Sequence, residues 1–166
     1  MANPAKALVV GLGNDIVSDD GFGPAVAAAC RAALGAREDV AIESASVAGF
    51  HLLDLIVGHD RVLIVDVVRT GERPPGTLLR WPLTHASAAR TLGGSHQADL
   101  QTTLVLGRAL GYPIPDEITV LVAEALDLET VREEMTPAVA AAVPAAASLV
   151  ATWIETGELP VPTIEG

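Results

Sequence analysis

Residues 11–23 read GLGNDIVSDDGFG, four glycines around two adjacent acids. This stretch follows the apolar run Ala7-Leu8-Val9-Val10 and leads into a helix-like segment at residues 24–34. Glycines at 11, 13, 21 and 23 let the backbone turn sharply and pass close to a neighbour. Strand, glycine-rich turn and helix together suggest a phosphate cradle, but the residues do not fit one. The dinucleotide fingerprint needs G-x-G-x-x-G, and Ile16 stands where the third glycine belongs. The P-loop needs Gly-Lys-Ser/Thr, and the turn has no lysine. It has instead two adjacent acids, Asp19 and Asp20. At a helix N-terminus such a pair repels phosphate and suits a cation, or simply the helix dipole.

Outward from that turn, strand and helix patterns alternate. A first strand covers residues 6–10. In the helix that follows, Phe22, Val26, Cys30 and Leu34 recur at intervals of four on one face, with Pro24 tolerated in the first turn and Gly35 as the stop. Residues 39–44 alternate as a second strand, and residues 49–57 have helical spacing closed by Gly58. Residues 61–68, RVLIVDVV, are nearly all apolar, the mark of a central strand buried on both faces. Residues 76–81 form a fourth strand, too soon after the third for a parallel crossover, and so antiparallel.

Residues 82–94 read as loop with a short helix. A helix follows from His96 to Leu110, capped by Ser95 and stopped by Gly111. Residues 117–123 are the last strand. The final helix has Thr136 as N-cap, Pro137 at its first position and Gly157 past its end, and Pro144 predicts a kink within it. The pattern predicts a three-layer α/β sandwich: a twisted, mostly parallel five-stranded sheet with one antiparallel strand and helices on both faces. Residues 1–157 form a single domain, and 158–166 a poorly ordered C-terminal tail.

Composition narrows the function. The 166 residues are half hydrophobic with 3% aromatics, enough for one aliphatic core burying roughly two-thirds of the unfolded surface. A net charge of −11 argues against nucleic acid or an anionic membrane as partner. No basic-plus-apolar leader and no apolar run of bilayer-spanning length are expected. One cysteine excludes an internal disulfide, and a cytoplasmic location is the expectation.

Among residues able to carry chemistry, Asp66 is the least ordinary. It interrupts an aliphatic strand near its C-terminal end, where an unpaired carboxylate costs several kcal/mol, on the order of the penalty for a buried ion. Ligands of open α/β sheets sit beyond the carboxyl ends of the strands, and Asp20, just past strand one, reaches the same edge. The plain alternative for Asp66 is a structural carboxylate bonding the next loop. His96 opens a helix behind Gly93-Gly94-Ser95, with Asp99 one turn on as a helix-dipole acid or a partner to the imidazole. Asp20, Asp66 and His96 offer two carboxylates and one imidazole, a set suited to nickel, zinc or iron and too poor in carboxylates for calcium. Spacing establishes only that the three are able to converge.

Other chemistries fare worse. There is no G-x-S-x-G elbow and no H-E-x-x-H helix. Cys30 lies on an apolar helix face and reads as a buried, inert thiol. His51, His59 and His85 are structural or solvent-exposed. Glu124 supports the site at most, and Asp127, Glu129, Glu133 and Glu134 form a solvated face.

The order G-x-G-N-x-x-x-x-D-D-G-x-G, then V-A-G-F-x-L-L, an aspartate ending L-I-V-D, then P-G-T, S-H-Q and M-T-P-x-V, resembles the hydrogenase maturation endopeptidases across nearly the whole chain. The resemblance implies an enzyme that removes a C-terminal extension from the large-subunit precursor of a [NiFe] hydrogenase once nickel is in place. It also implies that Asp20, Asp66 and His96 occupy the metal-contacting positions and double as the catalytic set, with nickel supplied by the substrate and zinc or another divalent ion able to substitute in isolation. Where many members carry an aspartate followed by G-G-T or G-G-S, this chain has Glu43-Ser44-Ala45-Ser46-Val47, a departure in the loop near the substrate tail. Two other readings stand beside it: a non-catalytic nickel-binding chaperone of hydrogenase assembly, and a nucleotide-binding module.

Overall fold

A computed structural model describes residues 6–46, 49–83 and 95–164, with the side chains of 95–99 outside the description. The expected short helix at 82–94 and His85 fall largely or wholly outside the described residues. Five strands form one sheet: β1 (Ala7–Leu12), β2 (Val40–Ala45), β3 (Arg61–Val68), β4 (Leu78–Arg80) and β5 (Glu117–Glu124). Their order is β2-β1-β3-β5-β4. The all-apolar β3 takes the middle and is parallel to both neighbours. β4 is antiparallel, as its short connection requires, but its partner is β5 and not the preceding strand.

Strand alternation sorts the side chains into two cores. On one face, Val9, Leu63, Val65 and Val67 pack with α1 (Phe22–Leu34) and α4 (Pro137–Thr156). On the other, Leu8, Val10, Ile64 and Val68 pack with α2 (Phe50–Ile56) and α3 (Ser95–Ala109). The result is the three-layer α/β sandwich that the pattern predicts. Phe22, Val26 and Cys30 are buried on the core face of α1, and Gly35 ends that helix with its N–H on the Arg31 carbonyl.

Helix α4 runs through Pro144 and stops at Gly157, whose φ of 76° is the left-handed conformation glycine accepts most easily. The Arg61 guanidinium lies 4.6 Å from the Trp153 ring centroid and donates 2.7 Å to the Trp153 carbonyl, placing a cation at the negative end of the helix.

Three expectations need correction. By length and composition α4 is apolar enough to cross a bilayer, so the chain does contain such a run. Alanine raises its hydropathy, and Val139, Ala146, Val150 and Trp153 are buried in the core. Thr136 does occupy the N-cap position, yet its side chain makes no capping bond; Asp19 takes its hydroxyl. Finally, the tail is fastened. Leu159 is buried, the Arg80 N–H donates to the Pro162 carbonyl, and the Ile164 N–H donates back to the Arg80 carbonyl. The segment thereby covers the outer edge of β4, an edge that would otherwise offer unpaired backbone groups.

Candidate functional site

Close packing positions the site. A Cβ placed on Gly23 would lie 2.4 Å from the Leu12 carbonyl oxygen and 2.6 Å from that of Val65; one on Gly11 would lie 2.2 Å from the Gly23 oxygen. These glycines therefore let α1 start directly on top of β1 and β3. Their space is filled by backbone, which removes the main support for a phosphate cradle. Gly13, at φ 147°, passes under the Asp20 carbonyl, where a Cβ would sit 2.0 Å away.

Between β1 and α1 lies a 3-10 turn, Ser18–Gly21, which carries Asp20. Only 6% of Asp20 is exposed, and its Oδ2 accepts the Asn14 N–H at 3.0 Å. Asp66 is completely buried, with Oδ1 accepting the Val67 N–H at 2.8 Å. Register pairs Gly11 with Val65, so Asp66 lies level with Leu12, where β1 ends. The two carboxylates occupy the same carboxyl edge of the sheet, as the sequence predicts.

Asp66 alternates with Ile64 and Val68 and so faces the α2/α3 layer. The backbone places α3 over that face through Leu100 and Leu104. Residues 110–116 link the C-terminus of α3 to the start of β5. The opposite end of this 15-residue helix, about 22 Å away at 1.5 Å per residue, therefore lies toward the carboxyl edge. His96 is in that first turn, one turn before Leu100. The side chains of His96 and Asp99 lie outside the described residues. Among the described residues no three potential ligands cluster as a metal site.

The remaining titratable groups sort plainly. Burial pushes the Cys30 thiol up to about 11, in keeping with an inert sulfhydryl. His51 is exposed and His59 half-buried, with Nδ1 3.3 Å from the Ile56 carbonyl. Glu129, Glu133 and Glu134 are exposed. Asp127 has more structure than a solvated face: it accepts the N–H groups of Glu129 and Thr130, and the hydrogen bonds, led by that of the Thr130 side chain, hold its carboxyl down to about 2.

Two buried acids have roles the sequence does not announce. Glu124 accepts the N–H groups of Thr70 and Gly71 and the Thr70 hydroxyl, at 2.7 to 2.9 Å, fixing the turn that follows β3. Asp19 is fully buried and ties the 3-10 turn to the β5–α4 connection. An acid closing a buried strand hints at the first role. Nothing local pairs residue 19 with residue 136.

Comparison with known proteins places this architecture. The family model HycI, hydrogenase maturation protease, matches residues 24–153, a span that includes Asp66 and His96 and begins just after Asp20. The chain is 28% identical over 146 residues to the hydrogenase expression/formation protein HupD of Rhizobium leguminosarum bv. viciae, covering 85% of this chain and 70% of that protein. It is 26% identical to HupD of Thiocapsa roseopersicina, covering 84% and 66%. The hydrogenase maturating endopeptidase HybD from E. coli superposes with a TM-score of 0.74 at 26% identity, covering 92% of this chain and 94% of that one. The solution structure of the endopeptidase HycI from Escherichia coli gives 0.69 at 21% identity, covering 97% and 99%, and speaks for the fold. With most of its length matched by that one family model, this chain belongs to the hydrogenase maturation protease family.

Proposed function

We propose that the chain is an endopeptidase that removes the C-terminal extension of a nickel–iron hydrogenase large-subunit precursor after nickel insertion, meeting the precursor's nickel through Asp20, Asp66 and His96. The observation that carries this reading is Asp66, a carboxylate with no exposed surface inside an aliphatic central strand. It sits at the carboxyl edge, level with the end of β1 and on the face covered by the helix that bears His96. The neighbouring strand residues are all apolar, and the Val67 N–H on Oδ1 at 2.8 Å holds the carboxylate in place at that edge.

Two carboxylate oxygens and one imidazole nitrogen suit nickel and leave coordination positions open. Three ligands from separate elements bind an ion weakly on their own and more firmly when the substrate completes the shell. Such a site selects nickel-loaded precursor without a resident metal. Water oxygen then adds to the scissile carbonyl carbon, the C–N bond breaks, and the water's proton passes to the departing amine. Nickel assists by polarising that carbonyl or by acidifying the water, or Asp20 or Asp66 takes the proton as general base. A cytoplasmic location belongs to the same proposal, because the precursor would be met during assembly.

The test is incubation of the purified chain with nickel-loaded precursor, followed by mass spectrometry. Loss of a C-terminal fragment from the precursor is expected. An intact precursor would assign the chain to nickel carriage without cleavage. Asp66→Ala and His96→Ala should both stop processing while circular dichroism shows a folded protein, and normal processing by both would refute the site.

A further inference from the structure

We propose that Asp19 is a positioning residue for this site: it clamps the 3-10 turn bearing Asp20 to the β5–α4 connection and so sets where the Asp20 carboxylate stands. The inference rests on the reading of Asp20 as a nickel-facing group. Asp19 Oδ2 accepts the N–H groups of Leu126 and Asp127, each at 2.9 Å. Oδ1 accepts the Thr136 N–H at 2.7 Å, and the Thr136 hydroxyl lies 2.8 and 2.9 Å from the two oxygens. The backbone repeats the attachment, with the Ser18 N–H on the Arg132 carbonyl at 2.8 Å and the Asp19 N–H on the Asp127 carbonyl at 3.1 Å.

A turn of four residues has little rigidity of its own. This one also contains Ser18 at φ 40°, the left-handed region, unusual for a residue other than glycine. Such a conformation persists where its surroundings impose it: the Arg132 carbonyl holds the Ser18 N–H at 2.8 Å, and the groups gathered on the Asp19 carboxylate hold the next residue. The next residue is Asp20. Any rotation of the turn that the clamp would otherwise resist moves the Asp20 carboxylate across the site.

The competing account makes Asp19 a fastener for the fold alone, and a double-mutant cycle separates the two. Wild type, Asp19→Asn, Asp20→Asn and the double variant are titrated with Ni2+ and assayed on nickel-loaded precursor, at a temperature where unfolding curves show each folded. Asparagine keeps the shape but turns an NH2 toward N–H donors. Asp19→Asn should lower kcat/KM about 10- to 100-fold and weaken Ni2+ binding. In the Asp20→Asn background it should change Ni2+ binding no further. Equal losses in both backgrounds, or unchanged processing by Asp19→Asn, overturn the proposal. Should Asp19→Asn not fold, Thr136→Val takes away only the hydroxyl donor. A loss of about threefold confined to chains with Asp20 intact supports the clamp, and an equal loss without Asp20 overturns it. Wild-type processing matched by Asp20→Asn overturns the reading of Asp20, and this proposal with it, a result distinguishable because Asp20 itself is then dispensable.

Discussion

Asp19 and Thr136, 117 positions apart, meet through two donors of the threonine: its N–H at 2.7 Å and its hydroxyl at 2.8 Å from the same carboxylate oxygen. A helix start leaves N–H groups without intrahelical partners. Here an acid from the β1–α1 turn satisfies one of them at the N-cap of α4, with its negative charge at the positive end of the dipole. Asp19→Ala removes the acceptor for the N–H groups of Leu126, Asp127 and Thr136 and for one hydroxyl. The expected loss is about 3–5 kcal/mol of unfolding free energy, with about 1 kcal/mol for Thr136→Val. Urea unfolding with an unchanged m-value checks both. A loss below about 1 kcal/mol for Asp19→Ala would show that water replaces the carboxylate at little cost.

Gly23 and Gly157 are glycine for different reasons, with different expected costs. Gly23 is required by contact, since a Cβ there would lie within 2.4 to 2.7 Å of backbone atoms of Leu12 and Val65. Gly157 is required by its φ of 76°, with only the tip of Arg61 near, at 3.8 Å. Gly23→Ala forces α1 off the sheet and should cost at least about 3 kcal/mol, beyond ordinary overpacking because the obstacle is main chain. Gly157→Ala should cost about 1–2 kcal/mol, the penalty for a left-handed non-glycine residue. Comparable unfolding midpoints for the two variants would contradict the division.

The fold was legible because periodicity and punctuation agreed. The apolar run of β3 announced a central strand, Phe22, Val26 and Cys30 announced a helix face, and Gly35, Gly58 and Gly157 marked where helices stop. The carboxyl edge was legible too, since an acid in an aliphatic strand contradicts its surroundings. What the chain did not announce were pairings across long separations. Thr136 carries a capping signature, and the bond it makes instead depends on an acid 117 positions away. The tail shows no helix or strand period, and its anchorage depends on one buried residue, Leu159, and on an edge of β4. Both are tertiary facts with no local code.

Cys30, by contrast, is buried on the helix face that its spacing predicts. Burial raises its pKa from the ordinary 9.0 to about 11, with Arg31 opposing. A folded-state value above the unfolded one means the protonated thiol is favoured in the native chain. Its contribution to stability is therefore complete below pH 9 and is lost as pH rises toward 11. At pH 8 the native protein should react with iodoacetamide far more slowly than the urea-unfolded protein, and alkylation should follow global unfolding. Rapid labelling of the native chain would contradict the burial.

The separate origins of the proposed ligands lead to the last prediction. Asp20 comes from a clamped turn, Asp66 from the central strand and His96 from the first turn of α3, so each is positioned by a different element. On the proposed reading these three groups give an ion an incomplete shell, and the precursor supplies the remaining ligands. Nickel-free precursor should therefore be processed at least about 100-fold more slowly than nickel-loaded precursor, the size of effect that loss of an electrophile at a reacting carbonyl produces. Pre-incubating the chain itself with Ni2+, then removing the free ion, should not restore processing of nickel-free precursor, because the ion leaves with the buffer. Time courses of precursor mass under the three conditions check this directly. Equal rates with and without nickel in the precursor would mean that the carboxylates act on water unaided, and that selection for loaded precursor lies elsewhere on the surface.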